Sequence, residues 1–535
     1  MIRHLRAAIA SAALAGLGGS VAASHPAVAQ KQGGILKVYH RDCPASMSIL
    51  EEATISVVLP MMGIFNNLVV YDQNVKQNSL QSIVPDLAKS WETSKDGTQV
   101  IFKLREGVKW HDGKPFTAND VACTWDLLLG KAADKLRTNP RKIWYQNVES
   151  VTANGDSEAV FHLKRPQPAL LALLASGYSP VYPCHVLPRD MRSHPIGTGP
   201  FKFAEFKPNE RIAVTRNPDY WKKGRPCLDG IEYSIIPNRS TALLAFEAGK
   251  FDLTFADEVT IPLLKEVKSQ RPEAICEVRP TNVSTNLIIN RDKPPFDSAD
   301  VRRALVLALE RKSFIDILAE GQGDIGGAML PPPSGVWGMP PDFLKTVIGY
   351  DPDVQKNRIE ARKIMEKLGY GPDKRLNIRV SARNIAVYRD PAVILIDQLK
   401  DIYIDGELDP VETATWFPKI TRKDYQIGLN ITGSGVDDPD QQFYENYACG
   451  SERNYTGYCN PELQKMFDEQ STEAVLEKRR KLVWEIDKKL QEEVARPIIY
   501  HTRAGTCWQP QVKGITLMVN SIFNGNRFED ISLDN

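Results

Sequence analysis

Two hydrophobic periods alternate along the whole of this chain, and that alternation constrains its fold more than any single motif. Period-two patterns of half-buried strands occur at Val100-Ile101-Phe102-Lys103-Leu104, at Ile231-Glu232-Tyr233-Ser234-Ile235 and around Ile378 and Val380. Helical periods lie between and after them. Ala361, Ile364, Met365 and Leu368 share one face with Gly369 as a stop, and Val483, Ile486, Leu490 and Val494 repeat the spacing after a start at Asn460-Pro461. A third helix is predicted from Asp297 or Ser298 through Val301, Ala304, Leu305, Ala308 and Leu309 to Gly321. Interleaving of this kind predicts α/β lobes with mixed sheets. A chain of 535 residues holds several such units, and no fixed repeat suggests a solenoid. With 67 Lys+Arg against 66 Asp+Glu there is no basic excess to neutralise a phosphate backbone, so nucleic acid is not expected as a partner.

The first thirty residues carry Arg3, His4 and Arg6, then an uncharged run over 7–23, with no acid before Asp42. This is the pattern of a secretory signal peptide over residues 1–29. Ala27-Val28-Ala29 is the favoured cleavage site, giving a mature start at Gln30, with Ala22 or Ala23 as the alternative. No cysteine follows the apolar run closely, so no lipoprotein anchor is expected and the protein is placed in the periplasm. The other uncharged stretch, 166–188, is broken by prolines and is read as the buried face of a short helix ending at Gly177.

Export permits disulfides among the eight cysteines. Cys449 and Cys459 flank a small polar loop and are expected to pair. Cys184 and Cys227, both in Pro-flanked loops, form a second candidate bridge, while Cys123 is read as a buried thiol on a helix. The prolines at 331–333 and 340–341 are read as a surface excursion.

Several motifs fall to simpler explanations. Gly321-Gln322-Gly323-Asp324-Ile325-Gly326 matches a dinucleotide fingerprint but follows a helix and leads to a triple proline, so no cofactor is expected. Asp437-Asp438-Pro439-Asp440 reads as a turn with an N-cap before it reads as a metal or glycosidase cluster. His111 is read as a turn residue. No nucleophile elbow, zinc-protease helix or phosphate loop is present, so no catalytic residue and no metal ligand is assigned.

The segment Phe102-Lys103-Leu104-Arg105-Glu106-Gly107-Val108-Lys109-Trp110-His111-Asp112-Gly113-Lys114-Pro115-Phe116-Thr117-Ala118-Asn119-Asp120-Val121 resembles the signature of the family 5 extracytoplasmic solute-binding proteins, the peptide- and dipeptide-binding components of ABC importers. Further matches follow in family order, among them Gly197-Thr198-Gly199-Pro200-Phe201, Asn217-Pro218-Asp219-Tyr220-Trp221, Val301-Arg302-Arg303-Ala304 and Tyr458-Cys459-Asn460-Pro461. The resemblance implies a two-lobed periplasmic binding protein fold, type II-like, with mixed sheets, an extra subdomain in the larger lobe and a cleft between the lobes. Lobe I would hold residues 30–281 and 505–535, and lobe II residues 282–504, joined by crossings near 280–290 and 498–505. A small-molecule or peptide ligand would be buried by hinge closure, and a monomer would present the closed surface to an inner-membrane ABC permease.

In peptide-binding members the ligand adds a strand to lobe II, and the matching segment here carries Asn430, Thr432, Gly433, Ser434, Gly435 and Asp437. The family's usual Asp for the ligand's α-amino group falls at Gly435. Asp437, two residues on, substitutes only if the loop is rebuilt. A buried ammonium without its carboxylate is strongly disfavoured, which leaves the ligand open between peptides and the family's opine, oligosaccharide, haem-like and metal-chelate classes. Trp416 matches a cleft-facing aromatic, with stacking on ligand and filling of the lobe II core both open. Tyr500 and His501 match the second crossing, Thr281 and Asn282 the first, and Arg41 and Asp42 follow the first strand. The alternative from another class is an exported hydrolase using Asp437, Asp438 or Asp440 with His501.

Overall fold

The computed structural model describes residues 31–534, so the leader expected over 1–29 lies outside the described residues. Lobe I is organised by a four-stranded mixed sheet. Strand Ile35–His40 runs parallel to Gly230–Ile235, which pairs antiparallel with Arg211–Arg216 and through it with Phe201–Lys207. The intervening chain inserts a subdomain whose antiparallel sheet has the order Ala88–Thr93, Gln99–Leu104, Glu158–Leu163, Val148–Ala153. The alternation seen in the sequence appears here as burial of Val100, Phe102 and Leu104 on one face. Helix Ala118–Leu129 starts at a capping box between Thr117 and Asp120 and stops at Gly130, whose φ of 73° needs a residue without a Cβ. Its Trp125 packs edge-on to Phe161 of that sheet, with ring centroids 4.8 Å apart.

Lobe II carries a six-stranded sheet in the order Gly323–Asp324, Ile498–Trp508, Ile275–Ile289, Ile427–Gly433, Leu376–Arg383, Ile404–Val411. Helices Val354–Lys367 and Ala386–Leu399 belong to the same lobe; Ala361, Met365, Leu395 and Leu399 join Ile378, Val380 and Leu429 in its core. The long helix predicted after Ser298 is two helices, Ala299–Ala308 and Arg311–Ala319. Ser298 does cap the first, accepting from Val301 N. The break comes where Leu309 turns extended and the Glu310 amide donates to Gln398 Oε1 at 2.9 Å instead of to its own helix. The Pro-rich stretch is a surface excursion only in part: Pro332, Pro333, Val336 and Pro341 are exposed, while Leu330, Trp337 and Met339 are buried and anchor it.

Two strands run through both lobes. Ile275–Ile289 and Ile498–Trp508 pair antiparallel, with a register irregularity between Pro280 and Ser284 where Asn282 takes a φ of 52°. At one end the second strand bridges to lobe I at Leu253 and Val259; at the other the first pairs with Ile427–Gly433 of lobe II.

Three disulfides are present among the described residues. Cys449–Cys459 forms as expected. The other two correct the sequence reading: Cys184 bonds Cys123, not Cys227, so Cys123 is not a thiol. The reason is local, since the Cys184 amide donates to Asp120 Oδ1 and docks its loop on the turn of helix that carries Cys123. Cys276–Cys507 ties the two through-strands together at the lobe I end.

Candidate functional site

The strand Ile427–Gly433 is hydrogen-bonded on one side to the first through-strand along its full length, from Ile289 opposite Ile427 to Val283 opposite Gly433. On the other side its partner Leu376–Arg383 reaches only to Ala382 opposite Leu429. The edge from Asn430 to Gly433 therefore has no strand beside it on that side among the described residues, and it faces lobe I. An inner chamber of about 40 Å³ lies there, walled by Asn430, Ile431 and Gly433 from this edge, Arg383 and Tyr388 from lobe II, and Arg41, Thr54 and Phe523 from lobe I. It continues past Ala53, Thr54, Phe417 and Arg453 into a wider cavity of about 600 Å³ lined by Pro44, Ala45, Ala414, Pro418 and Tyr455.

The lobes touch across this space through buried polar contacts. Arg383 Nη2 donates to Asp42 Oδ2 at 2.6 Å, Trp144 Nε1 to Glu445 Oε2 at 2.6 Å, and Gln167 Nε2 to Asp440 Oδ2 at 3.1 Å. Burial opposes charge on Asp42, but Arg383 and Arg41 beside it hold its pKa below the ordinary carboxylate value. Arg41 in turn meets Glu258 at 3.0 Å and lies over the Phe255 ring. Arg453 pairs with the buried Glu445.

Of the residues singled out in the sequence, Arg41, Asn430 and Gly433 wall the inner chamber. Thr432 and Ser434 are buried and engaged, Thr432 Oγ1 accepting from Asn286 and Ser434 Oγ from Gln442. Gly435 lies against lobe I: a Cβ there would stand 3.0 Å from Ser176 Oγ, 3.1 Å from Trp144 and 3.2 Å from Tyr178. Trp416 is fully buried in a lobe II cluster with Ile288, Ile420, Tyr425 and Tyr455; the next residue on that helix, Phe417, is the aromatic that walls both cavities. Tyr500 packs in the lobe II core against Phe314. His501 Nε2 meets Gly327 O at 2.9 Å and Nδ1 has no partner, so no aspartate hydrogen-bonds the imidazole, whose pKa burial lowers to about 4. Asp438 caps helix Pro439–Asn446 and forms a two-pronged pair with Arg479, while Asp440 accepts from Gln470 and Ser471. Those acids anchor a helix, as a turn-and-cap reading of the motif requires.

Asp437 points away from both cavities to lobe I, where Asn520 Nδ2 donates to Oδ2 at 3.3 Å and Oδ1 has no partner. Burial pushes its pKa up to about 7, with the Asn520 bond pulling the other way. A raised acid pKa gives stability that is complete below the unfolded value near 4 and is lost as pH rises through about 7. Asp437→Asn, which does not titrate, is thus expected to raise the unfolding free energy at pH 8.5 by about 2 kcal/mol for this partly exposed residue, and the urea midpoint with it. At pH 4 it should leave the midpoint unchanged; an equal effect at both pH values would reject the assignment.

Arg383, Tyr388, Phe417, Arg453 and Phe523 were not singled out in the sequence. Arg383 had one signal, a charge closing the otherwise alternating run 376–382; the others had none.

Comparison with known proteins places these features in context. The family model for bacterial extracellular solute-binding proteins, family 5, matches residues 82–454. A probable di/tripeptide-binding protein 5 of Pseudomonas aeruginosa is 24% identical over 471 residues, 81% of this chain and 84% of that one. Among solved structures, the periplasmic binding protein DppA from Helicobacter pylori in complex with peptide STSA superposes with a TM-score of 0.81 at 20% identity, over 94% of this chain and 99% of that one. The binding protein AgaA from A. tumefaciens R10, in complex with agropinic acid, gives 0.81 at 22% identity over 94% and 100%. These two likenesses show the two-lobed fold.

Proposed function

We propose, from the premise that this chain belongs to the bacterial extracellular solute-binding proteins of family 5, that it is the substrate-binding receptor of an ABC importer. It captures a peptide or peptide-like solute between its lobes, acts as a monomer outside the cytoplasmic membrane and delivers its cargo to a permease in that membrane. The observation that carries this reading is the unpaired edge Asn430–Gly433 facing a chamber between the lobes, on a strand whose other side pairs with the first through-strand, itself paired with the second. An extended backbone laid along that edge completes the sheet without needing any one side chain. Closure then follows from whatever binds the shut form better than the open one. Relatives named as peptide binders support the class, and the agropinic acid receptor supports a wider one.

The test is small-angle scattering and thermal unfolding of the chain from Gln30 onward against di- to pentapeptides, opines, oligosaccharides and chelates. A cognate solute at ~100 times its dissociation constant should add ~2.7 kcal/mol of stability and reduce the radius of gyration. A solute that stabilises without changing the radius of gyration, or one that is consumed, would overturn the receptor reading.

A further inference from the structure

Resting on that receptor reading, we propose that the solute's recognition element is an oxyanion, a carboxylate or phosphate group seated among the arginines of the inner chamber, and that a free ammonium is not required. Arg41, Arg383 and Arg453 wall the chamber, and no carboxylate does. Each of the three has an acid behind it, Glu258, Asp42 and Glu445 respectively, yet Nε of Arg41 and Nε of Arg453 remain buried without a hydrogen bond.

A fourth guanidinium, behind the cavity walls and lining neither cavity, deepens the imbalance. Arg141 is fully buried and stacked 3.6 Å from the centroid of Tyr178, the ring that borders Gly435. Its Nη1 donates to the Glu52 carbonyl, while Nε and Nη2 have no partner. The acids nearest these groups do not neutralise them. Glu258 is shared with Arg239, and Asp390, 3.9 Å from Arg239, is half exposed. Glu52 is taken up by Arg137 and Glu51 by Arg192. Asp257 lies near Arg41 as well but is shared with Arg279. Arg41, Arg141, Arg239, Arg279, Arg383 and Arg453 thus face Asp42, Asp257, Glu258, Glu445 and the half-exposed Asp390. Guanidinium cannot escape burial by losing its proton, and an uncompensated buried charge costs several kcal/mol. An incoming oxyanion supplies both the missing charge and acceptors for the orphaned N–H groups, in the forked geometry arginine favours.

The inner chamber itself offers an ammonium no carboxylate; Glu51, Glu52 and Glu452 line the wider cavity, where Arg192 and Arg137 already hold the first two. Asp437 is turned to Asn520, and the space beside Gly435 is filled by Trp144, Tyr178 and Ser176. The inner chamber, about 40 Å³, suits one small charged group. The wider cavity, with Phe417, Pro418 and Tyr455, suits a less polar body attached to it.

Three small probes sharing an aromatic body test this: N-acetylphenylalanine with a carboxylate only, phenyl phosphate, and phenylalaninamide with an ammonium and no oxyanion. One or both of the first two should bind at least tenfold more tightly than the third, as read from the concentration dependence of the melting midpoint, and which of them does so separates carboxylate from phosphate. Arg453→Gln should weaken that probe at least tenfold. Since Arg453 also pairs with Glu445, Arg141→Met is the second variant: it removes an unpaired charge, so it should raise the midpoint of the unliganded protein while weakening the oxyanion probe. Phenylalaninamide binding as well as the acids, silence from all three probes, or unchanged affinity in a folded Arg141→Met would overturn the oxyanion assignment. Closure by a neutral, amidated and acetylated peptide would also overturn it while leaving the receptor reading standing.

Discussion

Replacing Cys276 and Cys507 together by serine is expected to cost about 5 kcal/mol of stability, the largest loss from any pair of substitutions considered. The two residues sit opposite each other on the through-strands, Cα atoms 4.1 Å apart, and are separated by 231 residues. Everything in lobe II lies inside the loop they close. Loop-closure entropy grows with the logarithm of that length, so this bridge constrains the unfolded chain more than Cys449–Cys459, whose separation of 10 residues corresponds to about 3 kcal/mol. Cys507 is also fully buried beside Trp508 and Leu253, so a serine hydroxyl there adds a desolvation cost. Urea unfolding of the oxidised wild-type chain, the double variant and a Cys449→Ser/Cys459→Ser control should place the Cys276/Cys507 variant lowest. Equal midpoints for the two variants would show that the unfolded state is not where this bridge acts.

That bridge was out of reach of the sequence for a physical reason. Cys449 and Cys459 are joined by a loop too short to have a core of its own, so their pairing is a local matter. Cys276 and Cys507 meet only after two lobes have formed and sent a strand each way between them. The broad fold was legible because the strand and helix periods interleave throughout and the run from Phe102 to Val121 carries a family pattern. Site residues were legible where they sit on a segment with its own signature, as Asn430 and Gly433 do. They were not legible where two apolar neighbours compete for one role. Trp416 and Phe417 stand about 100° apart on helix Thr413–Thr421, and only the packing of Ile288 and Tyr425 decides that Trp416 goes inward and Phe417 toward the cleft. Arg383 and Arg453 come from a strand end and a disulfide loop 70 residues apart. Their shared chamber exists only in the folded, closed protein.

Gly433→Val is expected to hold the lobes open. Gly433 ends the free edge in lobe II, and a Cβ on it would stand 2.6 and 2.7 Å from Cε2 and Cζ of Phe523 in lobe I. Such distances are not tolerated, so one side must move. Phe523 has little room to retreat, because it is buried, its ring lies 4.9 Å from that of Tyr178, and its own carbonyl is packed on Gly177. The clash exists only when the lobes meet, so overpacking of about 1–3 kcal/mol falls on the closed state alone. That shifts the balance of closed to open molecules about 5- to 150-fold and weakens every solute that depends on closure by the same factor, whatever its chemistry. The melting of each lobe should be unaltered, which separates this effect from misfolding. Scattering at a concentration of solute that closes the wild-type chain should show a larger radius of gyration for Gly433→Val, and Phe523→Ala added to it should restore closure by clearing the space the new methyls need. If Gly433→Val closes as fully as the wild type, Phe523 yields more readily than its packing implies, and the contact between the free edge and lobe I is not what limits closure.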